Sequence, residues 1–210
     1  MDTLLLRESV PVERTSVEKI LDAAMSVIAQ HGVEATSFRR VSEAAGVSTG
    51  LVQHYFKTKS DLVEATDRHF LETFARAVEA VPLPEHDPIS EAGRRLVTLF
   101  ATRSEMMDYV TRSLVEGGAA GNTVFDWMFQ LSDRQSEHFD EMDLLRPDLD
   151  EVWGVMLPVL VRTSAFILSH HINRYLPEPL RTPEQLQRWD SAVTKLLRHG
   201  QFKQDAPDLP

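Results

Sequence analysis

Within residues 36–62, TSFRRVSEAAGVSTGLVQHYFKTKSDL, a glycine separates two short apolar stripes of helical period, and few folds accommodate that arrangement. Thr36 is placed to cap the first helix, along which Phe38, Val41 and Ala45 recur on one side. Gly46 ends it, at a position that calls for positive φ. Val47 can plug the corner, and Ser48 can cap a second helix over residues 49–55. Leu51 and Val52 are its apolar residues, so Thr49, Gly50, Gln53, His54 and Tyr55 are left to point outward. Two short helices joined this way suit the major groove of DNA, where the second reads base edges with its N-terminal and central side chains. Taken alone, the same residues also fit an ordinary helical hairpin in an all-α protein.

The upstream flank favours the DNA-binding reading. Thr15-Ser16-Val17-Glu18 is a capping box, and Ile20, Ala23, Ala24, Val27 and Ile28 form a stripe closed by Gly32 after His31. The resulting three-helix segment, ILDAAMSVIAQHGVEATSFRRVSEAAGVSTGLVQHYFKTKSDLVEA, resembles the amino-terminal DNA-binding domain of the TetR family of bacterial transcriptional repressors. The likeness includes the AGVS turn, the aromatic pair Tyr55-Phe56 and a lysine three residues beyond, at Lys59. The stretch STGLVQHYFKTKSDLVEAT looks closest to the choline/betaine-type repressors of that family. The resemblance covers about 45 of the 210 residues.

Carried over residue by residue, it implies that Thr36 and Ser37 hold a phosphate at a helix N-terminus. It also implies that Arg39 or Arg40 touches the DNA backbone, and that Lys59, with Thr58 capping the next helix, anchors another phosphate. Ser48, Thr49, Gly50, Gln53, His54 and Tyr55 are the candidates for base edges or nearby phosphates. Gln53 departs from the aromatic residue common at that place in the family; a glutamine suits adenine N6 and N7. Tyr55 fits a hydrophobic helix end equally well, whereas Phe56 reads as core.

Charge points the same way. The chain carries 22 basic and 32 acidic residues, a net charge of −10, which disfavours an indiscriminate nucleic-acid binder. Residues 36–60 hold four basic residues against one acidic, a net +3, while residues 61–210 hold fifteen against twenty-five. A small basic face on an acidic body makes DNA affinity salt-dependent and limits non-specific binding. With no cysteine, neither disulfides nor thiolate metal sites are available. Residues 1–14 lack the apolar core of a signal peptide and read as a disordered arm, whose Arg7 or Arg14 could reach a minor groove. The chain is therefore expected to be cytoplasmic.

No useful β-alternation appears, so the fold expectation is all-α, with about nine helices. Residues 15–60 form the helix-turn-helix DNA-binding domain, and residues 61–210 a helical ligand-binding and dimerisation domain. A fourth helix runs from Lys59 to Ala80 and stops at Pro82 and Pro84. Asp87-Pro88 starts a fifth that ends near Arg103, and a sixth spans residues 105–116. Gly117-Gly118-Ala119-Ala120-Gly121 reads as a flexible corner before a seventh helix over residues 123–142. The glycine run is a poor phosphate cradle, since no strand precedes it and no lysine follows.

The eighth helix is predicted over residues 148–175. Between Val152 and Leu168 its only charge is Arg162, and apolar residues surround it. Gly154, Pro158, Arg162, Thr163 and Ser164 make it a poor membrane span, so one face should join the core and the other a second copy of the chain. Pro158 removes the backbone bond to Gly154. The last helix starts at Thr182-Pro183-Glu184-Gln185 and ends near His199-Gly200. In the resembling family the last two long helices form a four-helix dimer interface.

A small-molecule effector pocket is expected among Phe74, Phe100, Tyr109, Phe125, Phe129, Trp153, Met156, Leu160 and Phe166, with Arg162, Thr163 and Asn173 as polar contributors. The ligand is either a cation held by aromatic faces and a carboxylate such as Glu116, or an anion on Arg162; an ordinary ion pair at Arg162 is a further reading. No cofactor is expected. His170 and His171 diverge by about 100° on a helix and do not share a metal ion. Ser48, His54 and Asp61 do not assemble a triad, so no enzyme is expected. The functional expectation is a ligand-released homodimeric repressor on a near-palindromic operator. Its rival is a partner-controlled or unliganded DNA-binding protein.

Overall fold

The computed structural model of the chain describes residues 15–79, 81–84 and 87–203. The proposed N-terminal arm, residues 1–14, and the expected helix end at Ala80 lie outside the described residues.

Helix α1 (Ser16–His31) opens with the predicted capping box: the Thr15 hydroxyl accepts from Glu18 N, and the Thr15 amide and hydroxyl both donate to the Glu18 carboxylate. Those two bonds hold the Glu18 carboxyl below its ordinary pKa. Helices α2 (Phe38–Ala45) and α3 (Thr49–Tyr55) follow, separated by Gly46 at φ 67°, a left-handed conformation that glycine adopts without strain. Ser48 caps α3 as expected, accepting from Leu51 N. At α2 the expectation needs correction. Ser37, not Thr36, is the cap, accepting from Arg40 N. The Thr36 hydroxyl instead donates 2.8 Å to Gly32 O, which draws the residue inward to 2% exposure.

Helix α4 (Lys59–Glu79) begins with a second reciprocal cap, Thr58 and Asp61 each bonding the other's amide. A small core of Ile20, Leu21, Ala24, Val41, Val52, Phe56 and Leu62 welds α1–α3 to the first turn of α4. Helices α5 (Pro88–Thr102), α6 (Ser104–Glu116), α7 (Gly118–Glu141), α8 (Trp153–Ile167), α9 (Ser169–Ile172) and α10 (Pro183–Gln201) build the body. Its core joins Phe70, Phe74, Phe100, Met106, Tyr109, Val124, Val159, Phe166 and Leu186. The described residues contain ten helices rather than nine and no strand, only an isolated antiparallel bridge between Leu145 and Phe202.

Two boundaries differ from expectation. Helix α7 starts five residues early, because the turn needs only Gly117 and Gly118, both at positive φ. Gly121 lies inside the helix, where a Cβ would come within 2.4 Å of Ser113 O; the glycine admits close approach of α6 rather than making a corner. The predicted eighth helix is shorter and broken. It starts at Trp153, whose amide and that of Val152 both donate to Asp150, and it ends before Leu168. A straight continuation would carry Ile172, Leu176 and Leu180 away, whereas the turn through α9 packs them on the main core. Among the described residues no helix is long and apolar enough to cross a membrane.

Candidate nucleic-acid interface and effector cavity

On α3, Gly50, Gln53 and His54 are exposed, while Val52 beneath them is fully buried. With 100° per residue, Thr49, Gly50, Gln53 and His54 share one arc of about 140°. Tyr55 sits about 100° beyond His54, and its ring packs on both neighbours, with centroids 5.4 Å from His54 and 6.3 Å from Phe56. At 43% exposure it is half helix end and half outward surface, which leaves both readings of it standing. Thr49 is only half exposed, and its hydroxyl lies 2.8 Å from Ser42 Oγ. Because Ser42 spends its own proton on Arg39 O, Thr49 is the donor in that pair and ties α3 to α2.

The cations surround this face. Arg39 pairs with Glu43 at 2.8 Å in full solvent, and the Arg40 guanidinium donates to Ala35 O. Lys59 Nζ donates 2.6 Å to Glu34 O, pinning the start of α4 to the loop after α1. Ser37, Arg39, Arg40, Ser48 and Lys59 are all exposed near the N-termini of α2–α4, whereas buried Thr36 cannot meet a phosphate where it stands.

The family description "Bacterial regulatory proteins, tetR family" matches residues 20–66, the segment that carries this face. Residues 20–66, less than a quarter of the chain, are thus similar to the tetR family. It is 32% identical over 82 residues to an HTH-type transcriptional regulator BetI of Serratia proteamaculans, covering 38% of this chain and 40% of that one. It is 30% identical over 127 residues to the regulatory protein RaaS of Mycobacterium tuberculosis, covering 60% and 57%. The chain thus spans about half the length of these curated relatives. Among solved structures, the fatty acid degradation regulator FadR of Bacillus halodurans superposes with a TM-score of 0.71 at 18% identity, over 92% of this chain and 98% of that one. SmeT, the repressor of a Stenotrophomonas maltophilia multidrug efflux pump, does so with 0.66 at 17%, over 94% and 95%. These two likenesses are of fold alone, and they extend over more than nine-tenths of the chain.

The body holds a partly open cavity of about 120 Å3. Phe74 and Val78 of α4, Leu96 and Phe100 of α5, and Met107 and Val110 of α6 wall one side. Met128, Ser132, Gln135, Ser136 and Phe139 of α7 face Pro158, Arg162 and Thr163 of α8 and Leu197 and Gln201 of α10. Lacking an N–H, Pro158 leaves the Gly154 carbonyl without its helical partner, and Gln201 Nε2 donates to it at 2.7 Å. Next to it, the Ser132 hydroxyl donates 2.8 Å to Val155 O. Arg162 pairs with Asp190 of α10 at 2.9 Å, the ordinary ion pair that was one of the readings.

Of the predicted ligand residues, Phe74, Phe100, Arg162 and Thr163 line the cavity. Tyr109 does not; it is fully buried beside Phe70, and its hydroxyl donates to the Asp67 carboxylate. Burial raises the pKa of both groups, while the hydrogen bond partly offsets the rise at Asp67. Phe166 is wedged between the rings of Phe100 and Trp189, each about 5.0 Å away. Trp153 and Leu160 lie on the outward side of α8, opposite buried Val155 and Val159. Phe125, Phe129 and Met156 also lie outside the cavity wall; Met156 is turned about 100° from Val155 along the helix. Asn173 instead accepts from Leu180 N.

Glu116 is equally remote from the cavity, accepting from Val33 N beyond the end of α1. Beside it, Arg112 donates to Ala29 O and Gln30 O, two carbonyls in the last turn of α1. A polar cleft between α1, α4 and the α5–α6 corner joins Asp22 to His69 at 3.0 Å and to Arg103 at 3.1 Å. Sequence reasoning missed Gln201, Ser132 and this second set of ties. The first was accessible in principle, since a mid-helix proline creates an orphan carbonyl that some donor must satisfy.

Proposed function

We propose that the chain is a sequence-specific, DNA-binding transcriptional regulator that acts as a homodimer and is released from its operator by a small molecule. The observation that carries DNA binding is the outward arc of α3, presenting Gly50, Gln53 and His54 over a rigid apolar base and flanked by Arg39, Arg40 and Lys59. Gln53 and His54 read base edges, while Ser37, Ser48, Lys59 and at least one of the arginines hold phosphates. Lys59 and Arg40 exchange their present carbonyl partners for phosphate oxygens on binding.

Residues 15–60 act as the reading head and residues 61–210 as the sensing and pairing body. Two copies pair through α8 and α10, which sets two reading helices about 34 Å apart or somewhat further and makes the operator a near-palindrome. An effector in the cavity touches α4 through Phe74 and Val78, and α6 through Met107 and Val110. Both helices also grip the reading head, α4 by continuity from Lys59 and α6 by Arg112 on the end of α1. A ligand that prefers the released spacing by a few kcal/mol suffices to free the DNA.

The test is a footprint on the DNA flanking the chain's own gene, with the wild type and a His54→Ala, Lys59→Ala double variant. A protected near-palindrome that the variant loses is the expected result. Salt-sensitive binding without any footprint would reduce the function to non-specific DNA binding.

A further inference from the structure

We propose that the cavity takes a carboxylate-bearing amphiphile, with its apolar body along α7 and its carboxylate on Arg162 in place of Asp190; this rests on the ligand-released reading above. The shape argument comes from α7. Its cavity-lining residues run from Met128 to Phe139, a rise of roughly 16 Å along the helix, and the facing walls are mostly apolar. A slender hydrocarbon chain, lying partly in the 120 Å3 cavity and partly along its open side, fits such a slot better than a compact polar metabolite.

The charge argument is sharper. Arg162 is the only ionisable side chain among the described residues that line the cavity, and no carboxylate lines it. A cationic ligand would meet an arginine and no counter-charge, at a large desolvation cost. A neutral head group finds Ser132, Thr163 and Gln201 already donating to carbonyls of α8, which leaves Gln135 and Ser136 on α7 as its uncharged partners, whereas a carboxylate also has the arginine. The arginine offers five N–H donors in a fork that matches a carboxylate, and one of them reaches Asp190. Exchanging one carboxylate for another keeps the largely covered guanidinium neutralised, while the displaced Asp190, itself 15% exposed, keeps the Thr194 hydroxyl 3.5 Å away and turns to solvent.

The exchange also has a mechanical consequence. Arg162 stands on α8 and Asp190 on α10, the two helices proposed to pair the copies. A ligand carboxylate on Arg162 frees Asp190 and unties one helix from the other, so that occupancy reaches the dimer seam directly.

Binding of decanoate, decanol and decyltrimethylammonium to the full chain, each below its aggregation concentration, separates the head groups at constant tail. Tryptophan fluorescence reports it, since Trp127 packs on Phe74 and Trp189 on Phe166. Decanoate is expected to bind about tenfold or more tighter than decanol, and the ammonium not at all. Arg162→Met should abolish the difference while leaving decanol binding in place. Asp190→Asn should tighten decanoate binding by about tenfold, because Arg162 then lacks a competing partner; a purely structural ion pair predicts weakening instead. Equal binding of all three probes, preference for the ammonium, no decanoate binding by the wild type, or weaker binding by Asp190→Asn overturns the proposal. Should Arg162→Met fail to fold, the sign of the Asp190→Asn effect decides. Decanoate that binds as expected but leaves the footprinted DNA complex intact upholds the ligand class and sinks the ligand-released reading.

Discussion

Gly50 lies on the outward arc of α3, and a Cβ built there would meet nothing closer than Ser48 Oγ at 3.9 Å. Its backbone is helical, so neither sterics nor conformation asks for glycine at this position. Helix propensity in fact disfavours it by about 1 kcal/mol relative to alanine. A residue that the fold does not need, on the face proposed to enter the groove, is best explained by close approach of DNA. Gly50→Ala is therefore expected to leave the melting temperature unchanged or slightly raised, while weakening operator affinity about tenfold, or 1.4 kcal/mol. A thermal melt and a footprint titration on the same preparation check it; unchanged affinity would remove Gly50 from the interface. Thr36 and Ser37 illustrate the limit of legibility at this scale. Both are good capping residues and adjacent, so sequence alone cannot choose between them. The choice depends on where the preceding loop brings Gly32 O, and that oxygen takes the Thr36 hydroxyl, leaving Ser37 as the cap.

At the scale of elements, α4 and α6 are joined inside the body by the Asp67 carboxylate and the Tyr109 hydroxyl. Tyr109→Phe leaves a buried carboxylate without its donor, which costs about 1–3 kcal/mol. Burial holds the Asp67 pKa above its ordinary value, and the lost hydrogen bond, which lowers it, would let it rise further. A raised carboxyl pKa means the folded state binds a proton more tightly than the unfolded one, so this group's contribution to stability falls as pH rises through that window. The penalty of Tyr109→Phe should accordingly be largest near neutral pH and shrink on acidification, as Asp67 becomes neutral. Denaturant unfolding at a series of pH values checks it; a penalty that grows on acidification contradicts the assignment.

The same scale shows which elements could be read in advance. The caps at Thr15, Ser48, Thr58 and Thr182 and the turn at Gly46 are local chemistry, and the structure forms each of them. The break after Ile167 is not local, because it depends on where Leu176 and Leu180 must go to be covered. The cavity is the extreme case. It draws on six helices, and helical period cannot distinguish Phe100, which lines it, from Phe125, which packs outside it.

For the whole molecule, the question is what covers the outward side of α8. Trp153 is 55% exposed and Leu157 45%, and Leu160, Leu168 and, on α10, Leu196 are also exposed. Positions 153, 157, 160 and 167 recur at intervals of four, three and seven, one side of a helix whose other side carries Val155, Val159 and Phe166 into the core. A contiguous apolar face of this kind marks an interaction surface. A second copy of the same face is self-complementary under two-fold symmetry. Leu157→Glu places a charge in that seam without touching the cavity wall, the α3 arc or the α1–α6 ties. The expected outcome is a folded monomer by light scattering, with the wild type a dimer at the same concentration. The monomer should still bind decanoate, but its operator affinity should fall by about 100-fold or more, because each half-site is then held alone. A Leu157→Glu protein that remains dimeric would place the seam elsewhere, and a monomer with undiminished affinity would mean that one reading head suffices.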